Sequence, residues 1–146
     1  MRIFTAVKID KDVAGQLYGI TASLRKVYPA IRWNPPQNFH ITLSFIGESS
    51  PDDVAKLEAE LAKLSAPAKT LEARVFGIGY FPNRGSRVRV IHMPVVESSR
   101  KLQTLFETVQ RTSALVFPGI SSRFTPHLTL GRIRKQPPQS LTENVD

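Results

Sequence analysis

The chain has 146 residues, 41% of them hydrophobic and 22% charged, with a formal net charge of +8 and no cysteine. That length suits one domain, or two small lobes sharing a core, and the missing thiols exclude disulfides, cysteine-ligated zinc and a thiol nucleophile. Lys and Arg spread along the chain fit either a polyanionic partner, nucleic acid first, or a merely soluble basic surface, while no stretch approaches membrane-spanning length and the amino terminus is too short and interrupted for a signal peptide; a cytoplasmic protein making no membrane contact is expected.

Residues 2 to 9 alternate as a strand does, and Asp10 stands where a helix N-cap belongs. Val13, Leu17, Ile20, Leu24 and Val27 follow at helical spacing and predict one helix whose apolar stripe ends before Pro29. Ile31-Arg32-Trp33 is a short extended piece, Asn34 to Asn38 a turn, and Phe39 to Ile46 a strand ended by Gly47. Ser50-Pro51-Asp52-Asp53 has the make-up of a helix start, with Val54, Leu57, Leu61 and Leu64 as the buried face before Pro67. Thr70 to Phe81 and Arg87 to Met93 read as two strands of a hairpin joined through Pro82 to Ser86. A further helix is expected from Ser98 or Ser99 to Thr112, carrying Leu102, Leu105, Phe106 and Val109 on one side. A loop through Pro118-Gly119 leads to a strand from Phe124 to Ile133, and the polar, proline-rich tail at about 135–146 is expected to be loose.

Two of the three histidines open the same pattern, histidine, aliphatic, threonine, leucine: His40-Ile41-Thr42-Leu43 and His127-Leu128-Thr129-Leu130. On a strand, side chains alternate between faces, so His40 and Thr42 share one face and Ile41 and Leu43 the other; His127, Thr129, Leu128 and Leu130 divide in the same way. Each strand thus offers an imidazole, able to give or take a proton near neutral pH, beside a hydroxyl able to donate to an anionic oxygen. The pattern around each copy is also alike, a strand near Thr5 or Val90 followed by a helix, a loop and the motif strand. The chain therefore reads as two related halves, each delivering one histidine, with the motif strands expected to face a common groove.

Two imidazoles can supply the acid and the base that phosphodiester cleavage needs, with Thr42 and Thr129 as donors to the non-bridging oxygens. Neither a metal nor a cofactor is required. Three other readings compete. A zinc site of His40, His92 and His127 lacks a carboxylate or second histidine at ligand spacing around either motif, and His92 reads as structural. A hydrolase using Ser44 lacks the glycine pattern of a nucleophile elbow, so Ser44 reads as a small residue near a strand end. A non-catalytic RNA-binding module would have no need of two titratable imidazoles.

F-H-I-T-L-S-F-I-G-E and F-T-P-H-L-T-L-G-R-I resemble the two signature motifs of the two-histidine (2H) phosphoesterase superfamily, in particular its RNA 2′,3′-cyclic phosphodiesterase branch, historically called 2′-5′ RNA ligase. R-I-F-T-A-V at the start, Arg32-Trp33, and F-P followed by R-V-R-V are similar to that branch in order and spacing, so the likeness extends to about Arg134. It implies a single α+β domain over residues 1–146, bilobal, with two pseudo-symmetric antiparallel-sheet lobes, outer helices and a central groove. It further implies metal-free hydrolysis of RNA 2′,3′-cyclic phosphate ends to 2′-phosphate, with His40 as proton donor, His127 as proton acceptor and Thr42 and Thr129 binding the phosphate. The alternative within the superfamily is 2′-5′ ligation of RNA ends, or cleavage of a small cyclic nucleotide. Arg132 resembles the arginine that follows the second motif, but five residues after His127 it falls on the opposite strand face unless the strand bulges or ends there. Phe39, Trp33, Phe81 and Arg87 could line the groove or stack on a base, core packing being the preferred reading for each aromatic. A monomer acting on RNA ends or small cyclic nucleotides is expected.

Overall fold

The computed structural model describes residues 1–64, 72–82 and 88–135. Seven strands and four helices follow in the order β1 (Arg2–Lys8), α1 (Lys11–Ile20), α2 (Ala22–Val27), β2 (Arg32–Trp33), β3 (His40–Glu48), α3 (Pro51–Ala62), β4 (Arg74–Val75), β5 (Gly79–Phe81), β6 (Val90–Val96), α4 (Lys101–Ala114) and β7 (His127–Arg132), with a 3-10 turn at Pro36–Asn38. β1 pairs with β3, and a second sheet has the order β2-β7-β6-β4 with β5 also paired to β6. The first pair runs antiparallel: the Met1 carbonyl accepts from the Ser49 amide (2.8 Å), and at the other end the Phe39 carbonyl accepts from the Ile9 amide (3.3 Å). This is the expected α+β class with antiparallel sheets, and each motif strand pairs with the strand that precedes its helix.

The compact units of the chain are not the two sequence halves. One gathers Met1–Val7, Thr42–Arg74 and Val96–Pro126; the other gathers Lys8–Ile41, Val75–Val95 and His127–Asp146. α3 and α4 belong to the first unit, α1 and α2 to the second. In the first unit the buried Ser44 hydroxyl donates to the Gln110 amide oxygen on α4 (2.6 Å), and the Gln110 amide donates to the Ile120 carbonyl (3.2 Å), so a short polar chain ties β3 to α4 and the loop after it. Phe106 of α4 stacks on Phe124, ring centroids 4.6 Å apart, and closes the same core.

Three expected elements differ. The single helix before Pro29 is two, broken at Thr21, whose buried hydroxyl donates to the Leu17 and Tyr18 carbonyls (3.2 and 3.1 Å). The buried face is Ala14, Leu17 and Thr21, and the stripe residues Val13, Ile20 and Val27 are 46%, 71% and 64% exposed. Small residues at 14 and 21 let the helix pack closely, a choice that counting large apolar side chains misses. The strand expected over Thr70 to Phe81 is two short ones, because Gly77 takes φ +71 between β4 and β5, a left-handed conformation that ends strand geometry; residues 70 and 71 lie outside the described residues, as do 83–87 of the hairpin and the tail from 136. α4 starts at Lys101 because Glu97 accepts from the amides of Ser99 and Leu102 (both 3.1 Å), holding Ser98 to Arg100 in a turn. The 50–53 helix start is as expected: Ser50 caps α3 by accepting from the Asp53 amide (3.2 Å).

Candidate active site

Both motif tetrapeptides begin their strands. In β3, His40 and Thr42 are half-buried while Ile41 and Leu43 are buried; in β7, His127 and Thr129 are half-buried while Leu128 and Leu130 are buried. The alternation read from the sequence is the one observed, twice. His40 and His127 belong to the same compact unit, and Thr42 begins the next segment of the other. The His40 ring makes a 2.7 Å hydrogen bond through Nδ1 to the Asn38 carbonyl. A carbonyl only accepts, so Nδ1 carries the hydrogen and proton exchange with a ligand falls to Nε2. The Asn34 amide side chain donates to the Thr129 carbonyl (3.1 Å), and the Asn34 backbone amide donates to the Leu130 carbonyl (2.8 Å), fastening the segment before the first motif to the strand of the second.

The β6–β7 register contains a bulge that decides where Arg132 points. Pro94 faces His127, Met93 faces Leu128 and His92 faces Thr129, but Ile91 faces Gly131 and Val90 faces Arg132. Leu130 is therefore the extra residue of β7, and the strand's alternation is reset after it. Directly paired residues share a sheet face, and Val90, His92 and Pro94 alternate without interruption, so Arg132 lies on the same face as His127 and Thr129. Arg32 of β2, paired with Arg132, joins them. Both guanidinium groups are exposed, and among the described residues neither pairs with a carboxylate. Like charges directly across a sheet repel, and an anion laid over the two would offset that repulsion. In the sequence Arg32 carries only part of the family likeness and is no site candidate, since the strand pairing is what brings it beside Arg132.

β5 adds an aromatic to that face. Phe81 meets His127 edge-on, centroids 4.8 Å apart and planes at 78°, and stacks on His92 at 4.0 Å and 20°. His92 in turn meets His127 at 5.2 Å and 61°. The reading of Phe81 as core does not hold: it is half-buried and flanks a motif histidine. His92, read as structural, is indeed buried, at 5% exposure, yet it touches the ring of His127. Burial, and then the positive charge that His127 can carry, push the His92 imidazole down from 6.5 to about 4, against a smaller opposing effect of the Met93 backbone.

The remaining candidates sort plainly. Phe39 is buried and meets Tyr18 edge-on, a core residue as preferred, while Trp33 is half-buried and donates its indole N–H to the Tyr28 carbonyl (2.9 Å). Ser44, fully buried in its bond to Gln110, offers no nucleophile. Arg87 lies outside the described residues. Among the described residues no three metal-ligating side chains gather, so His40, His92 and His127 do not assemble as a zinc site there.

The chain is of a phosphoesterase class: it matches the LigT-like phosphoesterase family over residues 7–92, a span that includes the first motif. This protein belongs to that family. It is 35% identical to the RNA 2′,3′-cyclic phosphodiesterase of Thermus thermophilus, across 94% of this chain and 70% of the relative, and 30% identical to that of Archaeoglobus fulgidus, across 95% and 76%. Among solved structures, one of a Thermus thermophilus protein aligns with a TM-score of 0.78 at 27% identity, covering 95% of this chain and 78% of the other. Escherichia coli LigT complexed with 3′-AMP shares the fold, with a TM-score of 0.70 at 22% identity over 94% and 76% of the two chains.

Proposed function

We propose that the chain is an RNA 2′,3′-cyclic phosphodiesterase, opening a terminal cyclic phosphate to a 2′-phosphate by acid–base catalysis between His40 and His127. The observation that carries this reading is the doubled strand, each copy opening on a half-buried imidazole with a half-buried hydroxyl two residues on and buried aliphatic residues alternating with them. His127 takes a proton from water as its oxygen bonds to phosphorus. The bond from phosphorus to the 3′ oxygen breaks, and His40, holding its Nδ1 hydrogen on Asn38, delivers the Nε2 proton to that oxygen. Thr42 and Thr129 donate to the non-bridging oxygens, and Arg132, with Arg32 across from it, balances the charge that builds there. The net charge of +8 favours an RNA strand as the substrate.

The test is product analysis on an oligonucleotide ending in a 2′,3′-cyclic phosphate. Hydrolysis to the 2′-phosphate, lost in His40→Ala and His127→Ala at unchanged circular dichroism and retained in EDTA, is the expected result. Turnover near the parent's rate in either variant would sink the two-histidine mechanism, inhibition by EDTA the metal-free one. RNA binding without any change to the cyclic end would instead make the chain a binding module, and a 2′-5′ joined product a ligase.

A further inference from the structure

His92 is the one histidine outside the repeated motif, and it is the most enclosed of the three. The β5–β6 register sets Gly79 opposite His92 and Phe81 opposite Val90, so Gly79 and Phe81 lie on the sheet face that His92 shares with His127. The imidazole of His92 lies over the backbone of Gly79. A β-carbon at position 79 would sit 2.5 Å from Cε1 and 2.8 Å from Nε2 of that ring, closer than real contacts allow, so position 79 has room for the ring only because it carries no side chain. Phe81 covers the ring by stacking at 4.0 Å, and the edge left over meets His127.

We propose that His92 is a positioning residue for His127: a ring clamped between Gly79 and Phe81, it holds the imidazole of His127 in one orientation. This rests on the reading of His127 as the proton acceptor. A histidine at the first position of a strand and half exposed has a broad choice of ring angle, because rotation about its second side-chain torsion has no sharp minima. Two rings meeting it at 61° and 78° remove most of that freedom. Proton transfer depends steeply on such placement, a shift of about 1 Å costing on the order of 10²-fold in rate. The clamp also stays uncharged at neutral pH, since enclosure disfavours the imidazolium, and it therefore sets no positive charge beside a group that must gain a proton during the reaction.

The experiment compares kcat and KM on the cyclic-phosphate oligonucleotide for the full chain carrying His92→Leu, His92→Phe, Gly79→Ala, and Gly79→Ala with His92→Leu, beside His127→Ala. Leucine keeps the buried volume without the flat ring. His92→Leu is expected to lower kcat by roughly 10- to 100-fold with KM within about twofold, while His92→Phe, which keeps the ring, stays within about threefold of the parent in kcat. Gly79→Ala, which displaces the ring, is expected to match His92→Leu, and to cost little more when His92→Leu is already present, because both act through one contact. Phenylalanine no better than leucine, or additive losses at 79 and 92, would overturn the inference. If His127→Ala abolishes turnover and His92→Leu leaves kcat untouched, the positioning role fails and the two-histidine reading stands. If His127→Ala remains active, the reading of the site fails and takes this role with it.

Discussion

β3 and β7 present one pattern, histidine, aliphatic, threonine, leucine, with the same burial, and the surroundings of their histidines differ. In β3 the histidine is fixed through its own nitrogen, bonded to the Asn38 carbonyl two residues earlier in the chain. In β7 it is fixed by rings from two other strands, Phe81 and His92, and the strand carries a bulge that brings Arg132 round to its face. The difference is one of range. The bond to Asn38 keeps a hydrogen on Nδ1 of His40, so Nε2 presents a proton only from the imidazolium; the rings beside His127 limit its orientation. Two strand openings that match in pattern are thus set in different surroundings.

The comparison can be sharpened first at the hydroxyls. If the two strands serve the phosphate equally, Thr42→Val and Thr129→Val will each lower kcat/KM by about 10²-fold, the loss typical of one oxyanion donor; steady-state kinetics on the cyclic end checks this, and a large loss at only one position would mean that a single strand holds the anion. A second effect belongs to β7 and its neighbours alone. Because His92 is held below its ordinary 6.5, at about 4, the unfolded chain binds a proton that the folded chain refuses. Stability from this source is complete above about pH 6.5 and falls as the pH drops toward 4, by at most about 3 kcal/mol, with no further change below. Urea unfolding at pH 7 and pH 4.5 will show a steeper acid loss for the parent than for His92→Phe; equal losses would mean that His92 is not held neutral. The smallest effect concerns β3. Ser44→Ala will cost about 1 to 2 kcal/mol by leaving the Gln110 carboxamide oxygen without its donor, and kcat will not change. A fall in kcat would implicate Ser44 in the chemistry.

Much of this was legible in the chain. The alternation of His40, Ile41, Thr42 and Leu43, and of their counterparts, is a period-two pattern that strand geometry turns directly into faces, and the Ser50 cap is local chemistry. Where the reading went wrong, the deciding contact was distant or the deciding residue small. The helix face of Ala14, Leu17 and Thr21 hides among larger apolar residues that the fold leaves exposed. The bulge at Leu130 follows from pairing with β6 and not from any residue of β7 taken alone, so the face of Arg132 could be posed as a condition but not resolved. Arg32 and His92 gained their neighbours only through cross-strand register, a property that a single sequence does not display.

The central claim is that two like histidines carry opposite proton duties, and the pH dependence of turnover tests it most directly. The parent chain should give a bell-shaped profile of kcat/KM for cyclic-phosphate opening, its acid limb set by the base that must be unprotonated and its alkaline limb by the acid that must be protonated. Any trace of turnover left in His127→Ala, on the order of 10³-fold or more below the parent, should lack the acid limb, and any left in His40→Ala the alkaline one. Both limbs surviving in either variant would contradict the account, and limbs lost in the reverse order would exchange the two roles.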